Sequence, residues 1–120
     1  MKYTRLYADA NGESHFEDVD VDFAPTDFAA SAPPLDLSDT VPAAQFAFMS
    51  TPAGWSSDWH SSSARNMFFV LTGEWEVTAS DGETRRFATG SALLVEDTAG
   101  TGHSSRVIAE SVAAVVELPD

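Results

Sequence analysis

The sequence predicts an all-β domain, and three observations carry that reading. Apolar and polar residues alternate with period two in several short segments. Asp81-Gly82 stands between two such segments, and Asp-Gly is a strong hairpin signal because a type I′ turn needs positive φ at both central residues. No stretch sustains a helical period. Short strands at short spacing close best into a barrel or sandwich, since long free edges invite aggregation.

The elements follow in order. Residues 15–23 alternate in part, with Val19, Val21 and Phe23 on one face and acids on the other, which predicts a half-buried or edge strand. Residues 24–42 hold Pro25, Pro33, Pro34 and Pro42 and read as an extended connector, because proline lacks the donor that a ladder needs. Residues 43–50 set Phe46 and Phe48 against Gln45, Ala47 and Met49. A Trp/Ser strand is expected over 54–60. The run Met67–Leu71 belongs to a strand over 66–72 that is apolar on both faces or packed at a barrel wall. Over 74–80, Trp75, Val77 and Ala79 alternate with Glu74, Glu76 and Thr78. Strands at 83–88, 92–95, 103–108 and 111–118 complete the set, with a glycine-containing loop at 96–102. Residues 1–42 are thus an N-terminal strand and connector packing on a barrel of residues 43–120, one structural domain overall.

Composition narrows the function. A chain of 120 residues is one domain long. It has no cysteine, so disulfides and thiolate chemistry are excluded. Nineteen acidic residues against six basic ones give a net charge of −13. That charge repels phosphate backbones and anionic membranes, so neither nucleic acid nor membrane is an expected partner. No apolar run approaches the roughly 18 residues of a membrane helix. No signal-type segment opens the chain. A cytoplasmic protein is expected. There is no Gly-x-Ser-x-Gly elbow and no phosphate loop in strand-to-helix context.

One stretch carries a more specific pattern. Gly54 is followed by five residues, His60, one residue, Ser62, three residues, Asn66, six residues and Gly73. Gly90 is followed by five residues and Glu96, and His103 comes after a glycine loop. These spacings resemble the two motifs of the cupin family over roughly residues 43–118. Ser62 stands where the family has a second histidine, Asn66 where it has a glutamate, and Glu96 where it has a proline. His103 arrives two residues late, and Val107 stands at the asparagine position. The resemblance implies a cupin-type jelly-roll β-barrel.

The resemblance also implies a site inside the barrel. It carries over His60 and His103 as metal ligands for a divalent transition metal such as Fe, Mn, Ni or Zn. Serine and a neutral amide are poor replacements beside imidazole. Glu96 is the nearest carboxylate to complete a two-His-one-carboxylate set, with Asp97 and Asp58 behind it. Glu96 serves equally well as a cap on the glycine loop. By strand parity, Asp58 and Ser62 share the face of His60, while Asn66 shares that of Phe68 and Val70. Asn66, Asp58 and Ser62 are therefore expected to line the ligand space. A metal-free acid–base cluster of His60, Glu96 and His103 is the chemical alternative.

Trp55 and Trp59 are expected as wall packing, His15 as a surface residue and Arg106 as an ion-pair partner. Three readings follow: an enzyme of isomerase, lyase or oxygenase type acting on a small organic molecule, a barrel that holds a small ligand without turnover around a degenerate metal site, or an oligomeric structural role. The resemblance implies a homodimer through N-terminal strands, for which residues 15–23 offer an edge.

Overall fold

The computed structural model describes all 120 residues. The chain is all-β, as expected, with ten strands and no helix. They are β1 (Lys2–Ala8), β2 (Ser14–Asp20), β3 (Ala24–Thr26), β4 (Leu35–Leu37), β5 (Gln45–Thr51), β6 (Ser56–His60), β7 (Arg65–Ala79), β8 (Thr84–Ala88), β9 (Ala92–Glu96) and β10 (His103–Leu118). No helix is present that could cross a membrane.

Eight strands form one continuous sheet ordered β2-β1-β9-β7-β10-β5, with β8 added on β7 and β6 on β10. Two long strands make it a jelly-roll-type barrel. The first half of β7 pairs with β9 and with the second half of β10, and its second half pairs with β8 and with the first half of β10. The β7–β10 ladder changes register between Val107 and Ala113. There the wall bends from one layer to the other, as bulges allow. Gly73 sits at the bend with φ of +89°, and a side chain there would overlap the Glu110 carbonyl. The sequence reads each long strand as two (66–72 with 74–80, and 103–108 with 111–118). The chain bends there instead of breaking.

The core lies between the layers. Leu6, Val70, Val77, Ala79, Leu93 and Ala113 are all nearly inaccessible, and Phe16, Trp75, Phe87, Val95 and Val107 join them. Burying each large side chain of this kind contributes about 1.5–3 kcal/mol. The expected alternation over 74–80 holds, with Trp75, Val77 and Ala79 inside.

Two expectations change in the N-terminal third. β1, for which the sequence predicts no strand, lies parallel to β9 and antiparallel to β2 and buries Leu6. β2 ends at Asp20, and its buried residues are Ser14 and Phe16, not the Val19–Val21–Phe23 face. The connector is not wholly extended. It contains the small β3–β4 hairpin, which pairs only with itself.

Candidate functional site

His60 ends β6 and His103 begins β10, and they are direct cross-strand partners. Opposed residues in a ladder project from the same face. The two imidazole centroids accordingly lie 4.8 Å apart at 53°. His103 is 8% exposed, whereas His60 is open at the mouth.

Glycine makes this approach possible. Gly102, with φ of +77°, lies directly against the His60 backbone, where any side chain would overlap the His60 carbonyl. Its own carbonyl accepts from Ser14 Oγ (2.7 Å). Gly100 packs on Gly12, and Thr101 N donates to the Gly12 carbonyl (3.1 Å). The loop preceding His103 is thus wedged between the β1–β2 turn and the end of β6.

Both rings have Nδ1 committed. His103 Nδ1 lies 2.6 Å from Asp97 Oδ2, and Asp97 is completely buried. His60 Nδ1 lies 2.8 Å from the Asp58 carbonyl and 2.9 Å from Ser57 Oγ. A carbonyl and a carboxylate accept, so each Nδ1 carries the proton. Each Nε2 has no hydrogen-bond partner in the chain.

The rings border a cavity of about 160 Å³ between the layers. Its wall is mostly apolar and includes Met49, Trp55, Phe68, Trp75, Leu93 and Val95. Trp75 Nε1 donates to Ser111 Oγ (2.8 Å), which fixes that ring, and Phe68 meets it edge-on at 5.5 Å. The polar lining is sparse. Thr51 Oγ1 is buried there without a partner. Arg106 reaches the lining but donates from Nε to Glu76 Oε1 (2.9 Å), the ion pair expected of it.

Four expected site residues lie elsewhere. Glu96 is on the outer face of β9, because Leu93 and Val95 point inward and parity turns Glu96 out. There it accepts from Arg5 Nε and from Arg65 Nε (2.9 Å). Burial works to raise its pKa, but the hydrogen bonds and charges of Arg5 and Arg65 outweigh it and hold the carboxyl below its ordinary value. Glu96 is therefore neither a ligand beside His60 and His103 nor an acid–base group there. Asn66 is not part of the His60 cavity and opens into a separate one of about 240 Å³ with Gln45 and Glu117. Ser62 Oγ donates to the Ala64 carbonyl (2.6 Å), closing a turn. The Asp58 carboxylate accepts from Trp59 N (2.9 Å), and only its backbone carbonyl serves the site.

Asp97 is the residue the sequence reading ranked too low. One step past Glu96, it recovers the inward parity of Val95, and that alternation is the signal that could have found it. Trp55, expected as wall packing, does border the cavity, but it is 45% exposed. Trp59 is 47% exposed and no part of the cavity wall.

The donor set tests the metal that the resemblance implies. Two imidazoles with unpartnered Nε2 suit a divalent ion, and a carboxylate that accepts from the other nitrogen of one ring orients it as metal-bound imidazoles usually are. A resident transition ion takes three or four protein ligands. With Glu96 outside and Ser62 and Asn66 turned to other duties, the cavity supplies two. The set does not fit a tightly held metal.

His15 is not simply a surface residue. Its Nε2 is 2.7 Å from Asp9 Oδ2 and its Nδ1 2.8 Å from Asp81 Oδ2, which ties the β1–β2 turn to the β7–β8 turn. Asp9, Glu13 and His15 bring ligand-type atoms within 4.8 Å of one another. Both His15 nitrogens are already engaged by carboxylates.

No family model matches the chain, and no curated protein matches it. Among solved structures, the chain is similar to SPY1581 from Streptococcus pyogenes, a conserved protein of unknown function, at 27% identity over 62% of this chain and 64% of that one, with a TM-score of 0.45. It thus spans less than two thirds of that protein. It is similar to a candidate ethanolamine utilization protein Q from Salmonella typhimurium at 18% identity, over 99% of this chain and 96% of that one, with a TM-score of 0.47. The cupin domain of Schizosaccharomyces pombe Cnp3 is similar at 17% identity, over 99% and 84% of the two chains, with a TM-score of 0.48. The fold stands on the strand register above, and none of these likenesses bears on the site.

Proposed function

We propose that the protein is a small cupin-type barrel that binds a small, mostly apolar organic molecule carrying a hydroxyl or amine. The observation that supports this is the pair of Nε2 atoms without a partner, on rings 4.8 Å apart, at an apolar cavity of about 160 Å³. A dry apolar cavity of about 150 Å³ accepts a benzene-sized molecule. The ligand's body would rest among Trp75, Phe68 and Leu93, and its donor would bond Nε2 of His103 or His60. Asp97 behind His103 holds that ring in place for the contact.

A second reading is a divalent-metal-dependent enzyme of isomerase, lyase or oxygenase type. The carboxylate-oriented His103 favours it. The ion would need substrate or water for its remaining positions.

Two titrations separate the readings. Phenol, which matches the cavity in size and carries one hydroxyl, is expected to shift the imidazole and tryptophan resonances saturably, and a His103→Ala variant is expected to lose that response. No saturable shift with phenol or similar alcohols and amines would overturn ligand binding. Protein purified without chelator is expected to hold metal well below stoichiometry. Near-stoichiometric metal that vanishes in His60→Ala would instead establish the metal reading.

A further inference from the structure

β5 ends on a buried hydroxyl that no other group of the chain engages. Met49 and Thr51 face the interior, while Phe48 and Ser50 beside them are exposed. Both Met49 and Thr51 border the cavity of His60 and His103. Opposite Thr51 in the ladder stands Ser111, and paired residues share a face. Ser111 Oγ has a partner, because it accepts from Trp75 Nε1 (2.8 Å). Thr51 is only 9% exposed, and its Oγ1 is buried with none.

Thr51 and the two imidazoles mark two ends of one ribbon. The chain running from β5 into β6 lies antiparallel to β10. Thr51 is opposite Ser111, Val107 N donates to the Trp55 carbonyl (2.8 Å), and His60 is opposite His103. The cavity is bordered by residues of both ends, and its wall is otherwise mostly apolar. Of the other polar side chains there, Arg106 is tied to Glu76, and Ser105 lies half-buried two residues from His103. Buried hydroxyls in folded proteins are nearly always paired, and leaving one unpaired costs stability. Valine would give the same shape without that cost. Oγ1 and Cγ2 of threonine exchange places by one turn about χ1, so the hydroxyl can swing to meet a group in the cavity.

We infer, on the reading of the cavity as a small-molecule site, that Thr51 is its second polar anchor and that the ligand carries polar groups at two positions on its apolar body, one for the imidazoles and one for the Thr51 hydroxyl. A hydroxyl both donates and accepts, so an alcohol, a carbonyl or an amide on the ligand would satisfy it. The second group is neutral, because a lone hydroxyl in apolar surroundings does not offset the burial of a charge. Thr51 thereby sets specificity: it discriminates between ligands that differ only at the end away from the imidazoles.

Two pairs of probes of equal shape test this, hydroquinone against 4-methylphenol and resorcinol against 3-methylphenol, titrated without oxygen into the full chain. In Thr51→Val, the affinity ratio of diol to methylphenol is expected to fall roughly three- to tenfold from its wild-type value in at least one pair, as loss of one neutral hydrogen bond implies. Methylphenol binding itself should persist, and Ser105→Ala should leave both ratios unchanged. Without any ligand, Thr51→Val is expected to melt about 4 °C above wild type, since it removes an unpaired buried hydroxyl. Ratios that are the same in folded Thr51→Val and wild type overturn the anchor while phenol binding stands. So does a ratio that falls in Ser105→Ala instead, or a ligand-free Thr51→Val protein that melts no higher than wild type. Failure of every phenol to bind removes the small-molecule reading and the anchor with it.

Discussion

Glu96 and Asp97 are adjacent carboxylates at the end of one strand, and the barrel wall separates them. Glu96 turns outward and is held by Arg5 and Arg65. Asp97 turns inward, is fully buried, and holds one histidine of the cavity. A single change of side along β9 makes one a pin on the outer surface and the other a part of the site. The inner and outer faces divide in the same way throughout. Inside, apolar residues surround a few polar groups. Outside, one apolar face meets acidic and ion-paired surroundings. The comparison teaches that motif spacing finds the position of a group, whereas parity decides its use.

Substitutions can break that division. Leu93→Ala, at a core position 1% exposed, is expected to destabilise the fold by about 2–5 kcal/mol. Chemical denaturation measures it, and a loss under about 1 kcal/mol would mean the inner layer is not packed as described. Asp97→Ala removes the partner of a buried imidazole and is expected to cost about 1–3 kcal/mol. It should also abolish the phenol response through His103. Unchanged phenol binding in a folded Asp97→Ala protein would remove Asp97 from the site. Gly102→Ala forces a side chain into a left-handed position against the His60 backbone, and about 1–3 kcal/mol is expected. Glu96→Gln should cost about 1 kcal/mol, since its partners are partly solvated. It should leave phenol and metal titrations unchanged. A loss of either would put Glu96 back in the site.

The smallest effect concerns the outer surface alone. The His15 pKa is raised, first by its hydrogen bond to Asp9 and then by that to Asp81, against some desolvation. The folded value therefore exceeds the ordinary 6.5. The stabilisation is complete below 6.5 and is lost as pH rises through the raised value. Asp9, lowered chiefly by His15, and Asp81, lowered chiefly by the Glu83 amide, contribute above 3.8 and lose it as pH falls through their lowered values. Melting temperature should thus fall on going above 6.5, and the fall should be shallower in His15→Gln. Parallel curves for the two proteins would show that the clamp has no stabilising role.

Much of the barrel was legible because its central strands carry strong period-two patterns. Trp75, Val77 and Ala79 declare their face directly. Asp81-Gly82 declares the hairpin. The paired position of His60 and His103 follows the motif spacing, even with two extra residues in the loop. β1 was hidden because its partner in the parallel ladder, β9, lies some 90 residues on. The bend at Gly73 looked like a strand end because glycine marks both turns and close backbone approaches. Glu96 is the carboxylate nearest the His103 loop in sequence, but the alternation of Leu93, Val95 and Asp97 assigns the inward side to its neighbour.

Asp97 fixes His103 through Nδ1, the ring nitrogen that carries its proton when the ring is neutral. Nitrogen-15 spectra of the imidazole rings, recorded where the rings are neutral, test it most directly. An Nδ1–H tautomer is expected for both His60 and His103, with a change of tautomer population at His103 in Asp97→Ala. An Nε2–H tautomer at His103 in the wild-type protein would contradict it.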